Sequence, residues 1–257
     1  AHQQFDLSLH TDEVDWECSF TAAHPTFDSG ACKPAGGLEG NRLSFQEVMT
    51  VGTNMQYEHQ QQALHTAGKV TIAGGETIPF KGKGYRDHSW VMRADNLVAQ
   101  HSWCGFIFDS CAFGAKILET TFRPGMWARE GYISDKDGTR AMIGLETHHE
   151  GGEVADGLPN KLIHELTDVF GKKYVLESDL AGRYGRVPLV SEAPGGRPMY
   201  QIVENFCPVT LRDNGEKGVA LVEIGRSPAL GGPDAWRSVP GRMAGLGIPP
   251  ECPRLPS

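Results

Sequence analysis

The 257-residue chain has no excess of positive charge: 24 Lys and Arg stand against 32 Asp and Glu, a formal net charge of -8. Nucleic-acid binding needs a basic surface to neutralise phosphate, so no such partner is expected. No apolar run approaches the ~18 residues of a membrane helix, so no membrane span is expected. No secretory signal pattern opens at Ala1, and a cytoplasmic location is expected. The six cysteines, at 18, 32, 104, 111, 207 and 252, form no CxxC pair. A structural zinc site is therefore not expected, nor any other metal. The thiols read as small buried hydrophobes of a reducing compartment, ahead of disulfides. No Walker loop and no GxGxxG opening a helix occurs, which leaves no signal for a nucleotide, and no cofactor is expected. No GxSxG elbow marks a serine hydrolase.

What the chain does have is apolar material, 39% of residues, in short alternating runs punctuated by 32 Gly and 16 Pro. That is enough to bury a core. Phe5-Asp6-Leu7-Ser8-Leu9 alternates at period two, as a strand should. Val70–Ile72 and Thr77–Phe80 flank the Gly-bearing connection Ala73-Gly74-Gly75-Glu76 and predict a hairpin. Further strands are predicted over 101–108, 112–122, 131–134, 140–147, 161–168, 173–178, 199–206 and 218–224. Turn sequences such as Asp135-Lys136-Asp137-Gly138 and Asp213-Asn214-Gly215 separate several of them. Short helices are predicted only over 43–50 and 55–64, and 25–41 reads as a loop. Many short strands with regular turns mean an all-β sandwich or barrel. Residues 1–50 are expected to be a partial or remnant first β domain and linker. Residues 51–228 are expected to be a barrel domain, and the Pro- and Gly-rich stretch 229–257 an irregular tail.

The densest chemistry lies in Gly82–Asn96, which holds Arg86, Asp87, His88, Trp90 and Arg93. Strand alternation puts Tyr85, Asp87 and Ser89 on one face and Arg86, His88 and Trp90 on the other. His88 and Trp90 can then both point into a barrel, one offering a donor and an acceptor, the other a π face. The plainer reading makes Arg86, Asp87 and Arg93 a structural ion network around a core histidine.

Gly84-Tyr85-Arg86-Asp87-His88-Ser89-Trp90, followed by Arg93, resembles the G-x-R-D-H-S-W-G-x-R signature of a lipocalin-like superfamily. That superfamily holds carotenoid hydratases, kievitone hydratase and AttH-like proteins. Tyr57-Glu58-His59-Gln60 upstream and Trp103…Phe106-Ile107-Phe108-Asp109 downstream are similar to its pattern too. One position departs: Val91 stands where the family has Gly. The resemblance implies antiparallel lipocalin-like barrels with few short helices, holding an apolar ligand between or within them. It also implies acid catalysis on an isoprenoid double bond, without a cofactor.

On that resemblance, the expected substrate is a small hydrophobic molecule, of terpenoid class, as alkene or alcohol. The reaction is a hydration or dehydration, or an isomerisation or cyclisation, since protonation and its reverse share one site. Pericyclase-like relatives, whose barrel mainly shapes the substrate, belong to the same group. His88 orients or relays a proton, and Asp109 or Asp87 is the acid. Trp90, Trp103, Tyr85, Phe106, Phe108, Tyr57 and Glu58 line the site, and Arg86 and Arg93 support it. The turn position of Asp109-Ser110 leaves Asp109 readable as a plain turn residue. Weaker candidates are His148-His149-Glu150, His164-Glu165, and the carboxylates Glu204 and Glu223 in otherwise apolar strands. The alternative function is a lipocalin-like carrier, whose lining would be apolar and without an acid. A homo-oligomer is compatible with either.

Overall fold

The computed structural model describes residues 4–28, 59–89, 98–120, 127–153, 159–193 and 197–226. Among them there is no helix; fourteen strands make two antiparallel sheets. The first contains β1 (Gln4–His10), β2 (Val14–Ala22), β3 (Phe27–Asp28), β4 (His59–Ile72) and β5 (Thr77–Ser89). β4 is its spine, pairing with β2 and β3 along one edge and with β5 along the other. The predicted hairpin at 73–76 joins β4 to β5, and Gly74 there takes φ 72°, a left-handed backbone that glycine adopts without a Cβ penalty.

The second sheet contains β6 (Val98–Ile107), β7 (Cys111–Thr120), β8 (Trp127–Asp135), β9 (Gly138–Glu153), β10 (Pro159–Asp168), β11 (Lys173–Asp179), β12 (Gly185–Ala193), β13 (Arg197–Leu211) and β14 (Glu216–Arg226). Strands β6 to β11 follow one another, β14 pairs β6, β13 pairs β14, and β11 pairs β13. The ring therefore closes on eight strands, a lipocalin-like barrel, with β12 laid on β13 outside the ring. Closure removes the unpaired edges an open sheet of this size would carry. The first sheet joins strands from both sides of residue 50, and the barrel begins at Val98 with the signature strand β5 outside it. The stretches 43–50 and 229–257 lie outside the described residues.

The helix predicted over 55–64 is corrected where it is described: 59–64 is the start of β4. Its sequence, His-Gln-Gln-Gln-Ala-Leu, shows no alternation because both faces are covered: Gln61, Gln62, Ala63 and Leu64 are all buried. A strand sandwiched on two sides has no polar face to betray its period.

Inside the barrel, Phe106, Phe108, Phe113, Leu166 and Leu176 form the core with no side-chain exposure above a trace. The four cysteines among the described residues, Cys18, Cys104, Cys111 and Cys207, are buried and free, as small hydrophobes. One end of the barrel is tied by a polar network. Asp168, 1% exposed, accepts the backbone N–H groups of Phe170 and Lys172, each at 2.9 Å, and the Tyr174 hydroxyl at 3.1 Å. Arg140 bridges it to Asp135, donating at 3.3 and 2.9 Å. Burial alone would raise the Asp168 and Asp135 carboxyl groups, but these donors outweigh it and hold both below the usual range.

Carboxyl groups held low bind protons less readily in the folded chain than in the unfolded one. Their contribution is therefore complete above the unfolded carboxylate value and is lost as pH falls through the folded one. We expect thermal stability to drop on acidification from about pH 5 to pH 2. Asp168→Asn is expected to be less stable at neutral pH, with a shallower further loss in acid. Parallel acid profiles for wild type and variant in a thermal scan would contradict this.

Candidate functional site

β5 lies against the outer wall of the barrel, and its alternation decides what reaches the wall. Tyr85 and Asp87 face the barrel; Arg86 and His88 face away, with the Arg86 guanidinium donating to His88 Nδ1 at 2.8 Å. His88 is exposed. On β4, whose register sets Gln61 opposite Asp87 and Ala63 opposite Tyr85, His59 and Gln61 share the barrel-facing side.

The barrel wall is shaped to receive these side chains. Gly105 of β6 and Gly114 of β7 are direct cross-strand partners, so two adjacent positions of the wall lack side chains. Tyr85 lies on one: a Cβ at Gly105 would sit 2.8 Å from its ring. Tyr132 of β8 lies on the other, stacked on Phe27 at 4.1 Å. Trp103 meets the Tyr85 ring edge-on at 5.3 Å. The sheet and barrel thus join through aromatic faces on a glycine platform.

A hydrogen-bond chain runs along this seam. Tyr132 donates to the Tyr85 hydroxyl oxygen, Tyr85 donates to Gln61 Oε1 at 2.7 Å, and the Gln61 amide donates to His59 Nδ1 at 3.2 Å. His59 Nε2–H then donates to Asp87 Oδ1 at 2.7 Å. Asp87, an acceptor only when ionised, is the end that orients every donor. His59 is 1% exposed while the Asp87 side chain is 39% exposed, so the chain runs from the buried phenols to the mouth of the seam. Burial pushes both phenols well above the usual range; Tyr132 and Asp87 raise Tyr85 further, while Asp87 and Glu130 raise Tyr132 against the lowering effect of its hydrogen bond to Tyr85, so both stay protonated donors.

Further carboxylates gather on the same wall. Glu204 of β13 is the cross-strand partner of Glu223 of β14, whose other neighbour is Trp103. Glu223 accepts from His101 Nε2 at 2.5 Å. Burial raises the Glu204 carboxyl, and the charges of Glu223 and Asp87 raise it further. Two buried polar atoms here, Trp103 Nε1 and Glu130 Oε2, have no hydrogen-bond partner among the described residues. A carboxyl with a raised affinity for its proton, other carboxylates, an imidazole and π faces therefore lie on one side of this wall, which suits proton donation to an apolar molecule.

A family model described as a domain of unknown function, DUF7064, matches residues 1–228. The chain belongs to that family. No curated protein matches this DUF7064 chain in sequence. Its fold is similar to three solved structures. A candidate AttH from Nitrosomonas europaea, at 2.00 Å, is 15% identical with a TM-score of 0.53, covering 86% of this chain and 64% of that one. CghA crystallised with Sch210972 is 8% identical with a TM-score of 0.57, covering 88% and 65%. CghA alone is also 8% identical, with a TM-score of 0.55, covering 88% and 64%. At these identities the likeness is one of fold, and the DUF7064 chain spans less than two thirds of each structure's length.

The residues singled out from the sequence divide among several places. Tyr85, Asp87 and Trp103 lie in the seam; Glu223 is the cross-strand partner of Trp103 and of Glu204, and the Asp87 charge reaches Glu204. Phe106 and Phe108, one parity over on β6 and just past it, belong to the barrel interior. Asp109 is an exposed turn residue beside Lys83, whose ammonium donates at 2.6 Å. That hydrogen bond and the Lys83 charge hold its carboxyl below the usual range, the wrong direction for a proton donor. Trp90, Arg93, Tyr57 and Glu58 lie outside the described residues. Gln61, Tyr132 and Glu130 were not anticipated, and only His59 of the β4 pair was.

His148, Glu146 and Glu165 come together on the outer face of β9 and β10, with ligand atoms within 4.8 Å of one another. Pairing of the two strands makes this trio, which neither His148-His149-Glu150 nor His164-Glu165 shows alone. All three side chains are exposed, as solvated surface groups are. No helix among the described residues is long and apolar enough to cross a membrane.

Proposed function

We propose that this protein is a cofactor-free enzyme that protonates a small hydrophobic alkene or alcohol, of terpenoid class, in the seam between its first sheet and its barrel. The observation that carries this is a carboxyl held above its usual range, Glu204, within reach of the Asp87 charge, with the His59–Asp87 pair on β4 and β5 beside Tyr85 and Trp103. Glu204 gives its proton to a double bond or to a hydroxyl leaving as water. The cation formed lies against the Tyr85 and Trp103 rings, each contributing roughly 0.5–2 kcal/mol if well placed. Asp87, fixed by His59, then takes a proton from the adjacent carbon or from the water that adds. Hydration, dehydration, isomerisation and cyclisation are the outcomes this one arrangement serves. Arg86, His88 and Asp109 stand apart from the seam and have no step in this scheme. CghA, which shares the fold, was crystallised with Sch210972, and a bound organic ligand in that fold supports a small-molecule site here.

The test is incubation with terpene alcohols and alkenes in heavy water, followed by mass spectrometry of the product. Deuterium on carbon is expected from alkenes that are protonated, and the unlabelled alkene from alcohols that are dehydrated. Saturable binding with no product of either kind would make the protein a carrier and overturn the reading. The pH profile has a defined sign. Glu204 must be protonated, so activity falls as pH rises through its raised value. Glu223→Gln removes one of the charges that raise it, and the falling limb is expected to move to lower pH. A limb that stays in place would exclude Glu204 as the acid.

A further inference from the structure

The outer face of β9, β10 and β11 gathers carboxylates, and their charges are not settled evenly. Glu150 pairs with Arg212 at 3.1 Å. Glu177 pairs with Lys161 at 2.5 Å and with Arg212 at 2.8 Å. Glu146 and Glu165 differ from these. They are direct cross-strand partners, an arrangement in which like charges oppose each other. Among the described residues no Lys or Arg pairs with either, and the group that stands beside both is the His148 imidazole.

His148 lies two residues along β9 from Glu146, on the same face, and diagonal to Glu165. Its Nε2 stands 3.8 Å from Glu146 Oε2 and 3.5 Å from Glu165 Oε1. Both separations are too long for an N–H···O bond, whose donor and acceptor lie about 2.7–3.2 Å apart. They are close to what one shared metal ion imposes. Ligand atoms about 2.0–2.2 Å from a tetrahedral ion stand roughly 3.4 Å from one another. The three ligand atoms all lie within 4.8 Å, and side chains this exposed have room to close the remainder by rotation. The backbone beneath them is fixed, because the β9–β10 register is unbroken from Lys161 to Thr167.

We propose that Glu146, His148 and Glu165 form a binding site for a divalent transition-metal ion, with zinc the best match. Imidazole and carboxylate are both zinc ligands, and three protein ligands leave a fourth position for water or a donor from outside. Calcium fits poorly, since it is held by six to eight oxygens and an imidazole is not among its ligands. The ion turns the repulsion between the paired glutamates into attraction to a common centre. It also bridges β9 to β10 on the outside of the barrel. None of the three residues belongs to the seam, and the site does not depend on the chemistry assigned there.

The experiment titrates the full chain, stripped of metal with a chelator, with zinc and with calcium as the control, by calorimetry. Saturable zinc binding is expected, and no calcium binding at the same concentrations. His148→Ala and Glu165→Gln are each expected to weaken zinc at least tenfold, a loss that even changes behind the ligands can reach. Glu150→Gln, the next carboxylate along the strand but held by Arg212, is expected to keep the wild-type affinity within about twofold, because charge without ligation is screened at the surface. Zinc is expected to raise the melting point of wild type and not that of His148→Ala. Without metal, Glu165→Gln is expected to melt no lower than wild type, since it removes a like-charge pair. Equal zinc affinity in wild type and both ligand variants would overturn the proposal, as would an equal loss in Glu150→Gln or no saturable zinc binding. A lower melting point for metal-free Glu165→Gln would also overturn it, by making the trio an ion network closed by His148 itself. These variants leave the heavy-water chemistry of the seam unchanged, so the two readings fail separately.

Discussion

Glu204→Gln is expected to lower turnover about 10²- to 10⁴-fold, the usual contribution of a positioned acid, with substrate binding kept within a few-fold. Glutamine keeps the shape and a donor N–H but holds no transferable proton. Glu204 qualifies on position as well as on its raised carboxyl. It is the cross-strand partner of Glu223 and feels the Asp87 charge, so a negative surround opposes its ionisation. Asp87→Asn tests the other half. It leaves His59 Nε2–H facing an amide and is expected to cut turnover by a similar factor; because the Asp87 charge also raises the Glu204 carboxyl, the falling pH limb is expected to move to lower pH as well. Deuterium incorporation per mole of enzyme measures both variants. Turnover within threefold of wild type in both would remove the carboxylates from the reaction.

Gly114→Ala is expected to cost ~3 kcal/mol of stability, the upper end for inserting a methyl into a packed site. A Cβ at position 114 would overlap the Tyr132 ring and meet Gln61 Oε1 at 2.8 Å. Tyr132 has nowhere to go, being stacked on Phe27 and hydrogen-bonded to Tyr85. For a chain of this size that corresponds to a fall in melting temperature of about 6 to 12 °C. Gly138→Ala is the control for glycine loss itself: its φ of 122° makes it strained, but no atom lies within 4 Å of the new Cβ. It is expected to lose stability through its backbone while leaving ligand binding intact, whereas Gly114→Ala loses both. Equal melting points for Gly114→Ala and wild type in a thermal scan would mean that sheet and barrel are not docked through this platform.

The barrel was legible because its strands alternate and its turns carry glycine or aspartate at fixed places. The strands predicted at 161–168, 173–178 and 218–224 lie within β10, β11 and β14. β4 was obscured because Gln61 and Gln62 are both buried, so polarity carried no period. In the signature, alternation told which residues share a face but not which face is turned inward. Tyr-x-Asp and Arg-x-His are both polar pairs, and tertiary docking makes the choice. The hairpin sequence did not give the register either: Thr71 pairs with Thr77, so Ile72 joins the connection, and counting back from 73–76 would have set Gln61 opposite His88 instead of Asp87. Glu204 and Glu223 stood out as charges in apolar strands, but their pairing with each other and the reach of the Asp87 charge to Glu204 depend on long-range placement of β13, β14 and β5 that no local pattern encodes.

The most direct measurement is a crystal structure of the protein soaked with a terpene alcohol. The account predicts ligand density between the first sheet and the barrel, against Tyr85 and Trp103, with the hydroxyl within hydrogen-bond distance of Glu204 or Asp87. Density on the Arg86 and His88 face, with the seam unchanged, would contradict it.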